Sequence, residues 1–187
     1  MAVPVLTTPR LTLRGWREAD LAPLAAIHRD PEVMRYLGGP LPRDESDLIV
    51  GRFLEKWTEE RRFGWWALEA RETGSLIGFV GVAAPDFTDP PGPCIETGWR
   101  LGRRAWGRGY ASEAARAALD HAFAAGVGEV VAFTVPANGR SRAVMERIGM
   151  TRDPAEDFDH PLLGAGDPLR RHVLYRIDHA RWQEVRP

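Results

Sequence analysis

A run of arginine and glycine residues between Glu96 and Ala111 has the residue types that a ligand-binding segment needs. Gly107 and Gly109 form a Gly-x-Gly turn, and glycine lets the backbone adopt left-handed conformations that gather several N–H groups into one concavity. A helix that starts after such a turn adds partial positive charge at its amino end. The segment therefore predicts a phosphate-binding loop. A polyphosphate is favoured by the four arginines, which have no acidic residue among them: Arg100, Arg103, Arg104 and Arg108.

Three phosphate-binding patterns can be compared with this turn. A Walker A loop needs Gly-Lys followed by Ser or Thr, and the chain contains no Gly-Lys pair. A dinucleotide-binding fingerprint needs Gly or Ala three residues after the second glycine, where Ser112 stands. The acyl-coenzyme A pyrophosphate pattern, Arg/Gln-x-x-Gly-x-Gly/Ala, is matched at every fixed position by residues 104–109. A glycine turn beside a solvated arginine face is the alternative that binds no ligand.

A second polar element follows the apolar run 130–135. Asn138 is a good residue to cap the helix predicted over 138–148, and Ser141 lies in the first turn of that helix. Asn138 could also reach the amide chain of a cofactor. Ser141 could be either a capping partner or a proton donor.

Hydrophobic patterning predicts the elements that position these residues. The predicted strands cover 11–14, 64–71, 76–83, 94–101, 130–135 and 171–177, with a hairpin turn at 72–75. The predicted helices cover 20–29, 31–36, 44–62, 107–125 and 138–148, the last of them ending at Gly149. Loops are predicted over 85–93 and 151–168. This order mixes hairpins with crossovers, so we expect a mixed sheet with helices on its faces, in a single domain over residues 1–187.

The composition excludes several classes of protein. The chain is 44% hydrophobic and 27% charged, which is typical of a globular domain. A net charge of −1 argues against a whole-surface nucleic-acid binder. The one cysteine, Cys94, excludes an internal disulfide, and no histidines stand at a short ligand spacing, so we expect no metal site. There is no recognisable signal peptide and no apolar run long enough for a bilayer, so we expect a cytoplasmic protein without nucleic-acid or membrane partners.

Taken in order, these segments resemble the GNAT superfamily of N-acetyltransferases, and in particular its RimJ/RimL-type branch. The resemblance implies an α/β (α+β) fold with a mixed, mostly antiparallel central sheet of about six to seven strands and helices on both faces. It also implies a V-shaped splay between two parallel strands, here 94–101 and 130–135. The segments that carry the resemblance are Thr8–Arg14, Asp30–Leu37, Leu76–Gly78, Ile95–Leu101, Arg104–Ala111 and Asn138–Gly149.

The resemblance also implies a co-substrate and the residues that bind it. Acetyl-CoA would lie in the splay, with its pantetheine on the backbone of the first strand and its pyrophosphate on the amides of the loop. The residues implied are Trp99, Arg100, Leu101, Arg104, Trp106, Gly107, Arg108, Gly109, Tyr110 and Asn138.

Two side chains are candidates for proton transfer during direct attack of an amine on the thioester in a ternary complex. Glu96 shares a strand face with Arg100 and with Gly98, which would leave room for an approaching chain. Glu96 is the candidate general base, and the alternative is a surface carboxylate or one that is ion-paired, for example with Arg100. Many family members carry a proton-donating Tyr where this chain has Met145, whereas the RimJ/RimL-type branch carries Ser at the place of Ser141. Ser141 is therefore the candidate acid.

The acceptor site is less specified. Aromatic side chains could line its mouth or fill the core, namely Trp16, Tyr36, Trp65 and Trp66. The acidic segment 153–167 could attract a cationic amine or be a solvated loop.

The RimJ/RimL likeness favours a protein N-terminal α-amine as the acceptor, bound by a monomer or homodimer. The alternatives are a small-amine or antibiotic N-acetyltransferase, a non-catalytic acyl-CoA-binding sensor and a nucleotide-binding enzyme. A covalent route through Cys94 is rejected, because no histidine lies near it in the sequence and the family uses a ternary complex.

Overall fold

The computed structural model describes residues 3–57, 63–87 and 91–186, which form an eight-stranded sheet with helices around it. The strands are β1 (Leu6–Thr7), β2 (Leu11–Arg14), β3 (Trp65–Ala70), β4 (Ser75–Ala83), β5 (Glu96–Leu101), β6 (Glu129–Thr134), β7 (Phe158–Asp159) and β8 (Arg171–Asp178). The α-helices are α1 (Leu21–His28), α2 (Pro31–Met34), α3 (Arg43–Glu55), α4 (Tyr110–Ala124), α5 (Gly139–Arg147) and α6 (His179–Val185).

The sheet runs in the order β1-β2-β3-β4-β5-β6-β8-β7 and is antiparallel except between β5 and β6. Those two strands pair in parallel at one register position, Glu96 opposite Val131, and at no other within the described ranges. The predicted mixed sheet with a splay between two parallel strands is thus confirmed. The sheet exceeds the expected six to seven strands because β1 and β7 have two residues each, too few to show a hydrophobic alternation.

The two faces of the sheet are covered by different elements. On one face, Val80 and Val82 of β4 pack with alanines of α4 in the main core. On the other face, Phe79 packs against Leu24 of α1 and Val50 of α3. Because side chains alternate along a strand, β5 also presents one set of residues to α4 and the other set to the α1 side.

The start of α4 differs from the sequence prediction. The helix was expected from Gly107 but begins at Tyr110, because Gly107 and Gly109 adopt left-handed φ angles of +73° and +77°. These angles are incompatible with a right-handed helix, so both glycines belong to the preceding turn.

Other element boundaries differ from the predictions by a few residues. Helix α3 ends at Glu55 rather than continuing toward Arg62, and residues 58–62 of the predicted helix lie outside the described residues. Residues 88–90 of the predicted loop over 85–93 also lie outside them. The segment predicted to be irregular over 151–168 contains β7 and a short 3-10 turn. In the part of the chain that the structure describes, no helix has the length and apolar character needed to cross a membrane.

Candidate active site

A cavity of about 710 Å³ opens where β5 and β6 separate. Two groups of residues line it, which we call the loop half and the sheet half. The loop half includes Ala105, Trp106, Gly107, Gly109, Tyr110, Asn138, Arg140 and Ser141. The sheet half includes Glu32, Tyr36, Trp65, Phe79, Glu96, Gly98, Trp99, Arg100 and Leu101. Both candidate catalytic residues and all the predicted acetyl-CoA-binding residues except Arg104 and Arg108 line this one cavity.

The loop half is built mainly from backbone. Gly109 is the N-cap of α4 and offers no side chain to its first N–H groups, so the amides at the start of the helix are free to bind an anion. A Cβ on Gly107 would meet nothing within 4 Å, and one on Gly109 only an Arg10 nitrogen at 3.5 Å. Both glycines are therefore required by their left-handed φ angles rather than by lack of space. The turn fits a pyrophosphate.

The four arginines of this segment do not act as one cluster. Arg103 donates from Nε to a carboxylate oxygen of Asp30 at 2.5 Å, and Arg100 lies in the sheet half. Arg104 and Arg108 are exposed and have no ion pair with any described residue. Of the four arginines predicted to act together, only Arg104 and Arg108 therefore offer their positive charge to a polyphosphate.

Arg140 was not identified from the sequence, although it lies beside the loop. Its guanidinium carbon is 4.4 Å from the centre of the Trp106 ring, a cation–π distance. The Trp106 indole in turn donates from Nε1 to the Leu101 carbonyl at 2.7 Å. Arg140 follows the N-cap Asn138 by two positions, and its place at a helix start was the available signal.

The edge of β5 that faces β6 offers backbone groups to a ligand. The Ile95 carbonyl accepts from the Val131 amide at 2.8 Å, so the N–H and C=O groups of alternate residues along β5 point toward β6. Continuing from Ile95, these residues are Thr97 and then Trp99. Trp99 lies past the one paired position, Glu96, and has no strand partner on that side among the described residues. Because the Leu101 carbonyl is bonded to Trp106, Trp99 is the residue that fits a pantetheine amide.

The sheet half contains a tryptophan laid across the strands. A Cβ on Gly98 would lie 3.0 Å from the Trp65 indole, and one on Gly81 would lie 2.5 Å from it. The indole therefore occupies the space above both glycines. We expected Gly98 to leave space for an approaching acceptor, but the Trp65 indole fills that space. An acceptor must therefore pass beside the indole ring.

Glu96 is an unpaired carboxyl group at the point where β5 and β6 diverge. It forms no ion pair or hydrogen bond with any residue that the structure describes, so the alternative of a pair with Arg100 is not observed. Burial disfavours its charged form and raises its pKa to about 7, with Asp86 adding to the rise and Lys56 opposing it. A carboxyl group of this pKa can accept a proton near neutral pH.

Asn138 caps α5, and Ser141 lies in the first turn of that helix. The Asn138 Oδ1 accepts from the Ser141 amide at 3.3 Å, and its Nδ2 donates to Thr134 Oγ1 at 3.0 Å. The capping role of Asn138 is thus present, and its side chain also borders the cavity. The Ser141 hydroxyl borders the cavity without a hydrogen-bond partner among the described residues, whereas Met145 is 1% exposed.

The predicted aromatic mouth is present in part. Tyr36 and Trp65 line the cavity, whereas Trp66 is fully buried in the main core and Trp16 packs against Phe53.

The acidic segment over 153–167 contributes nothing to the cavity lining. Three of its carboxylates pair with nearby arginines: Asp157 with Arg152, Asp159 with Arg170 and Arg171, and Glu156 with Arg176. Cys94 does not line the cavity either, and burial raises the pKa of its thiol. A raised thiol pKa disfavours the nucleophilic thiolate.

Comparison with known proteins agrees with this geometry. The family model described as an acetyltransferase (GNAT) domain matches residues 10–151. The chain therefore belongs to the GNAT family of acetyltransferases, and it is an N-acetyltransferase that uses acetyl-CoA.

Individual relatives cover nearly the whole chain. FsC-acetyl coenzyme A-N(2)-transacetylase of Aspergillus fumigatus is 31% identical over 98% of this chain and 81% of its own length. The crystal structure of an acetyltransferase from Agrobacterium tumefaciens has a TM-score of 0.75 at 32% identity and covers 95% of each chain. RimL, a ribosomal α-N-protein acetyltransferase in complex with coenzyme A, has a TM-score of 0.74 at 17% identity, over 94% of this chain and 98% of its own. The likeness to RimL is one of fold, so membership of the RimJ/RimL-type branch stays a prediction.

Proposed function

We propose that this chain acetylates a primary α-amine, with Glu96 as general base and Ser141 as proton donor, and that the acceptor is the amino terminus of a polypeptide. The observation that carries the proposal is the unpaired Glu96 carboxyl group, whose pKa is about 7. It lies in the same cavity as an anion-binding turn. A base for the amine and a holder for the acetyl donor are thereby brought to one place.

The loop half would hold the donor. The amides that follow Gly107 and Gly109 would bind the pyrophosphate, and Arg104, Arg108 and Arg140 would add positive charge beside it. The free backbone of Trp99 would pair with the pantetheine, which directs the thioester along β5 toward Glu96. The solved structure of RimL with coenzyme A supports a donor site on this fold.

The reaction then needs two protons removed from the nitrogen and one delivered to the sulfur. Glu96 takes the first proton from the acceptor's ammonium group, and the neutral nitrogen attacks the thioester carbonyl carbon. The new C–N bond forms as the C–S bond breaks, and the nitrogen gives its surplus proton to water to become an amide. The leaving sulfur takes a proton from the Ser141 hydroxyl, which regains one from water, or departs as a thiolate. A thiolate with a pKa of ~8.5 is a fair leaving group, so the base contributes more than the acid.

The acceptor's own pKa favours an α-amine over a lysine side chain. An α-ammonium group has a reference pKa of ~8, whereas a lysine ammonium group has one of ~10.4. Removing the proton therefore costs roughly 3 kcal/mol less for the α-amine, whichever base accepts it. A carboxyl group with a pKa of about 7 is better matched to the α-ammonium group.

A small molecule with a primary amine is the second candidate acceptor. The name of the Aspergillus transacetylase, which is 31% identical over 98% of this chain, assigns its transfer to N(2) of FsC and does not describe a protein amino terminus.

A mass-resolved screen of peptides and small amines with acetyl-CoA tests the proposal. We expect a gain of one acetyl group on α-amines and release of free CoA thiol, with lysine side chains left unmodified. Binding of CoA without any transfer would contradict the proposal and support the acyl-CoA sensor. Tight binding of ATP or NAD that CoA does not displace would support the nucleotide-binding alternative instead.

A further inference from the structure

The Arg100 side chain is enclosed but unpaired. Its Nε and Nη1 atoms have no exposed surface and no hydrogen-bond partner within residues 3–57, 63–87 and 91–186. Leaving a buried guanidinium without a partner is costly, because the charge has lost its water and gained no acceptor in exchange. The guanidinium charge can still be compensated by an anion at its third nitrogen, Nη2, which is not among the enclosed atoms.

Among the residues that the structure describes, Arg100 has an aromatic ring beside it and no carboxylate within ion-pair distance. Its guanidinium carbon lies 5.2 Å from the centre of the Phe79 ring, within cation–π range. Burial lowers the Arg100 pKa to about 10, so the side chain still carries its charge at neutral pH. His28 is the neighbouring titratable group. Burial, together with the charge of Arg100, lowers the His28 pKa to about 4, which keeps the imidazole neutral.

Two carboxyl groups line the same cavity but do not pair with Arg100. Glu96 forms no ion pair in the described ranges, and Glu32 contacts Arg35 at 4.0 Å. Glu96 and Arg100 lie on one face of β5, four residues apart, which is roughly 13 Å along a strand. A base and a cation therefore face one cavity at a separation that a single small molecule or a chain terminus can span.

We propose that Arg100 is the anchor for a carboxylate on the acceptor, so that the acceptor carries a primary amine and a carboxylate separated by the length of a short peptide, up to roughly 13 Å. The inference rests on the proposed function and specifies its substrate class. With its amine at Glu96, the acceptor would place its carboxylate on Arg100 in a charge-assisted contact with Nη2, the guanidinium nitrogen that is not enclosed. Either the carboxyl terminus of a short peptide or an acidic side chain a few residues from a polypeptide amino terminus supplies this chemistry.

Matched acceptors test the carboxylate requirement. One pair is a longer peptide with Asp at its third position and the same peptide with Asn there, both amidated at the carboxyl terminus, and the other pair is trialanine and trialanine amide. For the wild-type protein at saturating acetyl-CoA, we expect kcat/KM for the acid to exceed that for the amide by about tenfold or more in at least one pair. The pair that shows the preference identifies the source of the carboxylate.

Variants of two arginines assign the preference to a side chain. In Arg100→Gln the acid-to-amide ratio should fall to near unity, and in Arg100→Lys it should be partly restored. Arg103→Gln is the matched control because Arg103 is on the same segment but exposed and paired with Asp30. It should keep the wild-type ratio.

Binding separates failure of this inference from failure of the proposed function. Calorimetric titration of the same acids and amides into the CoA-loaded protein needs no turnover. If no acceptor is acetylated, the proposed function fails, but acid-selective binding that Arg100→Gln abolishes would still support the anchor. The anchor would be overturned if the wild-type protein bound and acetylated acids and amides equally well. It would also be overturned if Arg103→Gln lost as much of the acid preference as Arg100→Gln.

Discussion

Two arginines enclosed at the sheet have opposite surroundings. Arg14 donates from Nη1 and Nη2 to the two carboxylate oxygens of Asp20 at 2.7 and 2.9 Å, and from Nε to Glu69 at 2.7 Å. Arg100 has two enclosed nitrogens without a partner among the described residues. The buried charge of Arg14 is thus paired at a place where its partners connect strands and turns. The buried charge of Arg100 is unpaired at a place where a cavity opens.

The same contrast extends to the other side chains of the two regions. Glu113 of α4 accepts from Thr8, from the Arg10 amide and from the Arg10 side chain. In the cavity, Glu96 and the Ser141 hydroxyl have no partner within the described residues. These two groups, like Arg100, are free to meet a substrate, whereas the polar groups of the structural region are already satisfied by one another.

Replacing each buried arginine with methionine tests this contrast on stability, and we expect it to give the largest effect. Arg14→Met should lower the free energy of unfolding by about 3–5 kcal/mol, because it leaves Asp20 and Glu69 without their partner. Arg100→Met should raise it by about 1–3 kcal/mol, because it removes an unpaired buried charge. Thermal melts measure both, with a shift of about 2–4 °C for each kcal/mol in a chain of this size. A loss of stability in Arg100→Met would mean that this guanidinium is satisfied within the fold.

Glu96→Gln tests the unpaired carboxyl group. Removing a general base should lower kcat by about 10²-fold. Since the raised pKa keeps Glu96 protonated below about 7, the wild-type kcat should rise as the pH increases through that value, and the variant should lose this rise. Steady-state rates measured from about pH 6 to 8.5 follow the change.

Glu32→Gln is the matched control, because Glu32 lines the same cavity but is exposed. It should keep the rise near neutral pH. A Glu96→Gln variant with the wild-type rate and pH profile would remove Glu96 as the base.

Gly109→Val tests the loop half, where backbone rather than side chains binds the ligand. Holding a β-branched residue at φ +77° costs about 1–2 kcal/mol, so the Kd for CoA should rise by about tenfold. Calorimetry measures the Kd directly. Gly128→Val is the control, since Gly128 is not left-handed and a Cβ there would meet no neighbouring atom within 4 Å. Unchanged affinity in Gly109→Val would place the pyrophosphate elsewhere.

Ser141→Ala should give the smallest effect. The thiolate leaves without full protonation, so kcat should fall only a few-fold, by roughly 1 kcal/mol in the barrier. Burst and steady-state rates measure it with an acceptor at saturation. A fall of 10³-fold or more would make proton donation by Ser141 the dominant contribution.

The loop half could be predicted from the sequence because backbone geometry dictates its residue types. Left-handed turns at Gly107 and Gly109 favour glycine, and a helix start after them predicts an anion site. The central strands and the α5 cap at Asn138 were predictable for similar reasons of alternation and capping.

The sheet half could not be predicted to the same depth. Alternation along β5 predicted that Glu96 and Arg100 share one face. The same pattern is equally consistent with an ion pair between them and with two separate unpaired groups. Their separation, the burial of Arg100 and the indole of Trp65 above Gly98 depend on contacts between distant segments. The number of arginines available to a phosphate was overestimated for the same reason. Arg103 forms an ion pair with Asp30, which is distant in the sequence.

The central claim is that one cavity holds the acetyl donor on the loop and directs its thioester to Glu96. A crystal structure of the protein with CoA tests it most directly. We expect the pyrophosphate on the amides of residues 105–110, the pantetheine against the Trp99 backbone and the thiol in the gap between β5 and β6. A CoA molecule bound away from the turn, or with its thiol outside the sheet half, would contradict the account.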